Sequence, residues 1–397
     1  MSTPRTPPHF ATLIFLAALS PMTLNLFVPS LSNIARDFDV SYGVVSLSVA
    51  GYLAVVAVIQ LIIGPLSDRF GRRPVLLSAL VIFTLASIVA ALAQSIWVFL
   101  AARAMQSTMT AGFSMTLAVI RDTTPGEKAA GRIGYMSMVM AVAPMLGPVL
   151  GGVLDTAFGW RSNFWFFAGM GVFLLALVWI DLGETHQRKP KPKGANPTRA
   201  LLRDPPFWGF VICTAFSTAA FHIFIAGAPF VADAEFGTTT AELGVYIGSI
   251  TAGFMVGGAL SGRFASQFKL TTMMVAGRMA ACGGLLVGVI LWAQVGLTPV
   301  LLFGATIFAG LGNGLTMPAS NAGAMSVNPQ LAGSAAGISG ATTVGLGALV
   351  TALTGVLLPL GAPALTLLLL MFAVSAVGLL AALLLIRHDR QTQDRLM

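Results

Sequence analysis

Charged residues are scarce in this chain of 397 residues, since Lys, Arg, Asp and Glu together make up 9% of it. Soluble domains carry about a quarter, so the composition excludes an ordinary soluble fold. Hydrophobic residues reach 56%, and many stand in apolar runs of about 20 residues, long enough to cross a bilayer as helices. Short alternating strands, which a transmembrane barrel needs, are missing. The sequence therefore predicts an all-α integral membrane protein.

Sequence motifs for catalysis and metal binding are also missing. There is no H-E-x-x-H, no paired carboxylates and no Walker-type GxxxxGK(S/T), which argues against an enzyme or an ATP-driven pump. The two cysteines, Cys213 and Cys282, both fall inside apolar runs, so neither is assigned a disulfide or a metal. We expect no catalytic residues, no cofactor and no metal site.

Apolar runs between charged or turn-rich breaks predict twelve membrane spans. The first run, from Phe10 to about Leu31, contains no cleavage site of small residues, so it is interpreted as a retained span and not a signal peptide. The predicted spans are 10–31, 42–64, 75–94, 97–120, 133–154, 162–182, 205–231, 241–262, 272–293, 298–318, 330–357 and 363–386.

The 22 Lys and Arg residues orient these spans. If both termini share one side, nineteen of the basic residues lie on that side, including Arg263, Lys269 and Arg278 around the start of span 9. Only Arg36 and Arg161 lie opposite, and Arg103 lies within a span. The positive-inside rule then predicts that both termini are cytoplasmic. The net charge of +8 is a topology signal, and a nucleic-acid partner is not expected.

Two related halves are predicted. "GPLSDRFGRR" from Gly64 and "GALSGRFASQ" from Gly258 share five residues in register at an offset of 194, close to half the chain. The Pro-rich basic stretch between the halves is interpreted as a linker. The predicted domains are 1–183, a cytoplasmic linker at 184–204, and 205–397. A 6 + 6 parallel repeat is typical of transporters, with a substrate site near the midplane between the halves.

Polar residues within the spans are few. All fourteen acids fall in loops or at span ends, and the one charge well inside a span is Arg103, on a stripe of span 4 with Gln106, Ser107, Thr110 and Ser114. A buried Arg is a functional-site hypothesis by default, although bonding to neighbouring carbonyls is the structural alternative. His222 is the only intramembrane residue whose ordinary pKa lies near neutrality. The two interpretations of its role are a proton carrier and, more commonly for a lone histidine in a helix, a structural hydrogen-bonding group.

The loop after span 2 predicts a latch. Asp68 ends that span, and "NPQ" at 328–330 opens span 11, so the carboxylate could face a helix N-terminus. Gly64 and Gly71 would permit the close approach, and Arg69, Arg72 and Arg73 would hold the carboxylate and anchor the topology. The alternative is a positively charged loop with no further role.

Span 5 has a glycine-rich face. Pro144 and Pro148 are expected to bend the helix, and Gly147, Gly151 and Gly152 leave it flat enough for another helix. Gly253 and Gly257 give span 8 a matching face in small-xxx-small spacing. Close helix packing alone and a gating role are both open.

These segments resemble the major facilitator superfamily and, within it, drug exporters of the bicyclomycin-resistance (Bcr/CflA) type, which are proton-coupled antiporters. "GPLSDRFGRRP" resembles the superfamily's loop signature, "GPVLGG" at 147–152 its antiporter motif, and "RAMQ" from Arg103 its R-x-x-Q. The resemblance implies a bacterial inner-membrane monomer that exchanges small molecules for protons. It also implies a cavity lined by spans 1, 4, 7 and 10, for which the candidate residues are Asn25, Phe27, Arg103, Gln106, Met109, Phe224, Asn313 and Ser320.

Asn25 departs from the exporter pattern. It stands where the resembling exporters carry an Asp in a D-M-Y-L-P motif, and an amide cannot titrate. The leading hypothesis is a multidrug exporter that works by alternating access and prefers neutral, zwitterionic or anionic compounds, because Arg103 has no predicted carboxylate partner. The runner-up is a transporter of one metabolite without proton coupling through span 1. A membrane enzyme or receptor is the third reading.

Overall fold

The computed structural model is helical throughout the residues that it describes, which are 8–124, 126–185, 201–265, 267–296, 298–328 and 331–394. Within these ranges there are no strands, and ten helical segments are long and apolar enough to cross a membrane. The predicted all-α membrane fold is confirmed. The chain forms two compact units, residues 1–193 with 239–244 and residues 194–238 with 245–397, and each is described separately below.

Eight α-helices are bounded in the described part of unit 1. Helix α4 packs against α5 and α8, while α1 packs against α6 and α7. The bounds are α1 Phe10–Asn25, α2 Leu31–Asp37, α3 Tyr42–Phe70, α4 Arg72–Leu92, α5 Ile96–Gln106, α6 Thr110–Thr123, α7 Gly126–Phe158 and α8 Arg161–Asp181.

In unit 2 the structure bounds six further α-helices among the described residues, of which α10 begins in the short segment assigned to unit 1. Helix α9 packs against α12, α13 and α14, and α11 packs against α12 and α14. The bounds are α9 Pro205–Val231, α10 Thr240–Phe264, α11 Leu270–Val295, α12 Pro299–Ser326, α13 Ala332–Leu357 and α14 Pro363–Asp394.

Two of the predicted spans are broken by short 3-10 turns. In the first, α1 ends at Asn25 and a 3-10 turn at Val28–Ser30 leads into α2, with Pro29 in its first positions. Such a position suits proline, which has no N–H to donate. In the fourth, a 3-10 turn at Ser107–Met109 separates α5 from α6. The polar stripe predicted for a continuous span 4 is therefore divided between two helices.

The prediction that Gly253 and Gly257 of span 8 match span 5 is wrong for these two residues, although Gly244 of the same helix does lie against the backbone of Pro148 in span 5. Gly253 and Gly257 lie against the backbone of Ile307 and Leu311 on α12, inside unit 2. Small-xxx-small faces bring two helix backbones close together without specifying which helix is the partner. The small-xxx-small spacing therefore predicts a close approach of two helices but does not identify the second helix.

Arg278 is not a surface charge, although the charge tally placed it on the cytoplasmic side. It lies eight residues inside α11, about 12 Å from the helix start, and its side chain is 0% exposed. Its hydrogen bonds are made to Asn313 and Thr316 on α12. The positive-inside rule counts charges near span ends, and it does not distinguish a loop arginine from one on an inward-facing helix side.

The predicted latch and linker are only partly covered by the structure. Residues 329–330, most of the linker at 186–200, and the side-chain surroundings of Gly64 and Asp68 lie outside the described residues. The contact of Asp68 with the start of span 11 stays a prediction. The remaining latch residues, from Arg69 to Arg73, are described.

Candidate functional site

Arg103 lies at the centre of a polar and aromatic cluster inside unit 1. Its side chain is fully buried; Nη1 donates to Gln106 Oε1 at 2.5 Å, and Nη2 donates to the Thr23 carbonyl oxygen at 3.2 Å. Gln106 in turn donates through Nε2 to Ser87 Oγ at 2.7 Å. A chain of hydrogen bonds therefore connects α1, α5 and α4 through one guanidinium.

Three aromatic rings surround the same guanidinium. The centroids of Phe27, Tyr52 and Phe164 lie 4.0, 4.9 and 5.9 Å from its central carbon. The negative face of an aromatic ring attracts a cation, most strongly where water is excluded. Neither Arg103 nor Arg278 forms an ion pair with a carboxylate in the part of the chain that the structure describes. Rings and neutral oxygens therefore balance this buried charge.

Asn25 and Arg103 do not bond to each other. Asn25 is 2% exposed; its Nδ2 donates to the Pro21 carbonyl at 2.8 Å, and its Oδ1 has no partner in the described ranges. Arg103 instead reaches this helix through the Thr23 carbonyl and the Phe27 ring. Asn25 thus marks the end of α1, and it carries an unpaired acceptor.

The glycine-rich face of α7 packs on the end of α1. Gly147 lies against the backbone of Leu26 and the Cβ of Asn25, and a methyl group at Gly151 would overlap the Leu26 carbonyl oxygen. Pro148, one residue after Gly147, is buried within the helix. Gly152 likewise lies against the backbone of Thr240, which belongs to the same unit. The antiporter-like motif therefore brings α7 into backbone contact with α1.

The basic loop between α3 and α4 is held by a carboxylate from after α8. Glu184 accepts hydrogen bonds from the backbone N–H groups of Arg72 and Arg73, at 2.9 and 3.3 Å. Gly71 lies against the same carboxylate and has a φ of 97°, a backbone conformation that residues with a side chain rarely adopt. A negative charge at a helix N-terminus is favoured by the helix dipole.

The side chains of the two arginines complete this network. Arg72 Nη1 donates to Ser67 Oγ, and its Nε lies 3.4 Å from Asp122 Oδ2. Arg73 Nη2 donates to the Trp179 carbonyl oxygen at 3.0 Å, with its guanidinium over the indole ring. Arg69 is exposed beside Phe70. The described part of the motif thus connects the ends of α3, α4, α6 and α8.

Unit 2 holds a second buried arginine in a similar setting. Arg278 Nη2 donates to Asn313 Oδ1 at 2.6 Å, and its Nε donates to Thr316 Oγ1 at 3.1 Å. Both acceptors are on α12, where Asn313, Thr316 and Ser320 form a polar stripe at helical spacing, and Asn313 and Ser320 are predicted cavity residues. Ser320, lower on that stripe, shares a 2.7 Å hydrogen bond with Thr214 on α9. The stripe therefore makes its bonds to α11 and α9.

His222 lies on α9, as does the predicted cavity residue Phe224. Its Nδ1 is 3.0 Å from the Thr218 carbonyl oxygen, an acceptor, so Nδ1 carries the proton. Its ring also lies against Gly347 of α13. Phe224, two residues further along α9, is fully buried edge-on to Phe303.

The predicted cavity residues divide between the two units. Arg103 contacts Phe27 and Gln106 in unit 1, which also contains Asn25 and the buried Met109, while Phe224, Asn313, Ser320 and His222 belong to unit 2. Sequence reasoning missed Tyr52, Phe164 and Arg278. An apolar helix gives no signal that marks one ring as facing a charge, but Arg278 fell inside predicted span 9, and its position there was the available signal.

Comparison with known proteins places these features in a family. The sequence profile described as Major Facilitator Superfamily matches residues 13–352. The chain is 29% identical over 381 residues to the uncharacterized MFS-type transporter YdgK of Bacillus subtilis, covering 92% of each chain. It is 30% identical over 348 residues to multidrug resistance protein D of Escherichia coli, covering 85% of this chain and 86% of that one. Multidrug resistance protein MdtL of Escherichia fergusonii is 30% identical over 340 residues, with 82% and 83% covered.

Solved structures show the same fold. A bacterial homolog of the human lysosomal transporter Spinster, in an inward-facing and occupied conformation, matches with a TM-score of 0.76 and 17% identity, over 96% of each chain. The nucleoside transporter NupG matches with a TM-score of 0.74 and 13% identity, over 95% of this chain and 99% of that one. At these identities the likeness concerns the fold.

Proposed function

Because the chain belongs to the Major Facilitator Superfamily, and is thus a multi-pass membrane transporter of small molecules, we propose that it exports amphipathic drug-like compounds as a secondary-active transporter. Export by alternating access in a bacterial inner membrane, with cytoplasmic termini, a monomeric state and the Bcr/CflA subtype, belongs to the same proposal. Two relatives at 30% identity are named multidrug resistance proteins, which supports a drug substrate.

The Arg103 cluster is the observation that carries this function. A buried cation surrounded by Phe27, Tyr52 and Phe164, with a flexible Met109 nearby in sequence, combines apolar area with a few polar groups. Sites of that composition suit amphipathic molecules, and methionine adapts to different shapes. With no carboxylate paired to Arg103 in the described ranges, neutral, zwitterionic and anionic compounds are favoured over lipophilic cations.

A growth screen tests the export function. An exporter-deficient bacterial host carrying the wild-type gene, Arg103→Lys or Arg103→Ala is grown against a panel of drugs and metabolites. We expect the wild type to raise tolerance to amphipathic neutral and anionic drugs, and the alanine variant to lose that gain at equal membrane abundance. Unchanged tolerance in Arg103→Ala removes Arg103 from the mechanism, and a panel dominated by lipophilic cations contradicts the charge preference.

Proton exchange is proposed with His222 as the carrier. Its side chain is the only imidazole within the described segments that are apolar enough to span a membrane, and Asn25 occupies the position where similar exporters have an acid. Substrate added to proteoliposomes should produce a coupled pH change that His222→Ala removes. A pH change that survives in that variant discards the histidine.

Transport of a single metabolite without proton coupling through α1 is the second candidate. The observation that favours it is the Asn25 amide, which donates to Pro21 and has no proton to exchange. Substrate movement without any pH change in the same proteoliposomes, together with tolerance to one compound only, would select this candidate.

A further inference from the structure

Arg278 is a buried arginine to which the proposed transport function assigns no role. It is 0% exposed and lies between α11 and α12, where Asn313 and Thr316 accept two of its hydrogen bonds. Thr316 also contacts the Met274 carbonyl oxygen through its own hydroxyl, at 3.4 Å. The three polar side chains form what we call the Arg278 cluster, defined as Arg278, Asn313 and Thr316.

The Arg278 cluster has more donors than acceptors. A guanidinium has five N–H groups and no acceptor, and Nη1 of Arg278 is buried with no partner in the described ranges. Asn313 adds two N–H groups at Nδ2. In the described ranges its amide makes one hydrogen bond, which Oδ1 accepts from Arg278, so neither N–H group has an acceptor there. Unpaired buried donors are costly, so a ligand that brings acceptor oxygens would be favoured.

The arginine also fixes which way the Asn313 amide points. Since Arg278 can only donate, the amide oxygen has to face it, and the amide nitrogen is turned to the other side. Asn313 retains 4% exposure while Arg278 and Thr316 have none, so the amide is the member of the cluster closest to open space. The cluster therefore presents N–H donors outward, backed by a positive charge.

The charge of Arg278 also favours an anionic ligand. No carboxylate pairs with Arg278 in the portion of the chain that the structure describes, and the two cysteines near it, Cys213 and Cys282, are neutral as thiols. An uncompensated buried cation stabilises an anion more strongly than it would in water, because the surroundings screen it less.

We propose that Asn313 and Arg278 form a binding point for a carboxylate or similar anionic oxygen of the transported compound, with Arg278 also orienting the amide. This proposal rests on the proposed transport function and specifies one substrate class for it. Asn313 touches the anion, and Arg278 supplies the charge and holds the amide.

Binding of a matched probe pair tests the proposal on the full chain purified in detergent. The probes are 2-naphthoate and 2-naphthamide, which share a ring system and differ in charge, and binding is measured as the rise in unfolding temperature with probe concentration. The wild type should bind the acid more tightly than the amide. The loss of a charge-assisted contact in a variant should weaken the acid by about tenfold or more.

Asn313→Asp is the decisive variant. It is isosteric and gives Arg278 an ion-pair partner, so the fold is kept while the outward donor and the uncompensated charge are both lost. The acid preference should disappear, and 2-naphthamide binding should stay within about twofold, since neutral contacts change little. Arg278→Gln should act in the same direction, and Arg278→Lys should retain part of the preference.

Thr306→Ser is the control for a change on α12. Thr306 is buried on the same helix, and its hydroxyl donates to the Phe303 carbonyl, a bond that serine keeps. It should leave both affinities unchanged. An acid preference that persists in Asn313→Asp overturns the proposal, as does a wild type with no acid preference. If Arg278→Gln does not fold, Asn313→Asp alone decides the question.

Export and binding are read separately. A wild type that raises drug tolerance in the growth screen, and whose acid preference is unaffected by Asn313→Asp, refutes the anion site and leaves the export function standing. A wild type that exports nothing from the panel refutes the export function, whatever the probes show.

Discussion

The central guanidinium carbon of Arg103 lies 4.0 Å from the centroid of the Phe27 ring, and both side chains are fully buried. The ring comes from the turn after α1 and the charge from α5, so the contact connects two predicted cavity-lining segments. Because Arg103 has no ion-pair partner in the described ranges, its charge is stabilised by ring faces and neutral oxygens. We therefore expect this contact to contribute to the stability of unit 1.

Replacing Phe27 with leucine should cost more than the same change at a ring that faces no charge. Phe27→Leu removes the cation–π contact, worth about 0.5–2 kcal/mol, in addition to apolar area. Phe83→Leu is the matched control, because Phe83 is also fully buried and also contacts one phenylalanine, Phe167. Thermal unfolding in detergent measures both. Equal destabilisation would mean that the ring contributes by packing alone.

Adding a methyl group at Gly151 should separate α7 from α1. The new Cβ of Gly151→Ala would overlap the Leu26 carbonyl oxygen, a backbone atom that cannot rotate away. Overpacking of this kind costs about 1–3 kcal/mol. Gly169→Ala on α8 is the control, since nothing lies within 4 Å of the position its methyl group would take. Unfolding temperatures should fall for the first variant only, and equal values for the two would disprove the close approach.

Neutralising Glu184 should weaken the start of α4. In Glu184→Gln, a neutral amide replaces the carboxylate that accepts from the N–H groups of Arg72 and Arg73. The interaction of a charge with a helix N-terminus is worth about 0.3–1 kcal/mol at an exposed site and is screened by salt. Asp39→Asn, at an exposed residue with positive φ that asparagine tolerates, is the control.

The salt dependence distinguishes the charge from the hydrogen bonds. The difference in unfolding temperature between wild type and Glu184→Gln should shrink as ionic strength rises, because screening acts on exposed charges. A difference that is independent of salt would assign the effect to the hydrogen bonds.

Asn25→Asp should make transport depend on a proton. The Asn25 amide donates to the Pro21 carbonyl, and a carboxyl group can keep that bond only in its protonated form. When the proton leaves, a buried charge would be unpaired next to a carbonyl oxygen. We therefore expect substrate-driven pH changes in proteoliposomes to appear or to grow relative to wild type. Identical proton movement in the two proteins would show that coupling does not pass through α1.

The positions of the helices could be predicted from the sequence, because apolar length is a local property. Each predicted span overlaps a helical segment, and the break near Pro29 follows from the missing N–H of proline. The turn at Ser107–Met109 could not be foreseen, since no proline or glycine marks it. Its Ser107 hydroxyl bonds to the Ala104 carbonyl, a local arrangement that competes with a regular helix.

The neighbours of each helix were harder to predict than its position. Gly253 and Gly257 correctly indicated that two helices pack closely. They did not indicate which helix is the partner, because a face of small residues fits any other helix backbone. Arg103 and Arg278 each lie six residues inside a predicted span, and the sequence does not show which side of a helix faces inward. Both arginines proved to be fully buried, each bonded to an amide oxygen.

Glu184 and Asp204 hold the two ends of the segment that joins α8 to α9. Glu184 is held on the N-terminus of α4, and Asp204 caps α9 by accepting from the Phe207 N–H at 3.2 Å, so each end of the intervening chain is fixed by a carboxylate. Roughly 20 residues between those anchors extend to about 70 Å at most. Tethers of different length or composition should be interchangeable there as long as both carboxylates stay, because loop length changes closure entropy only slowly.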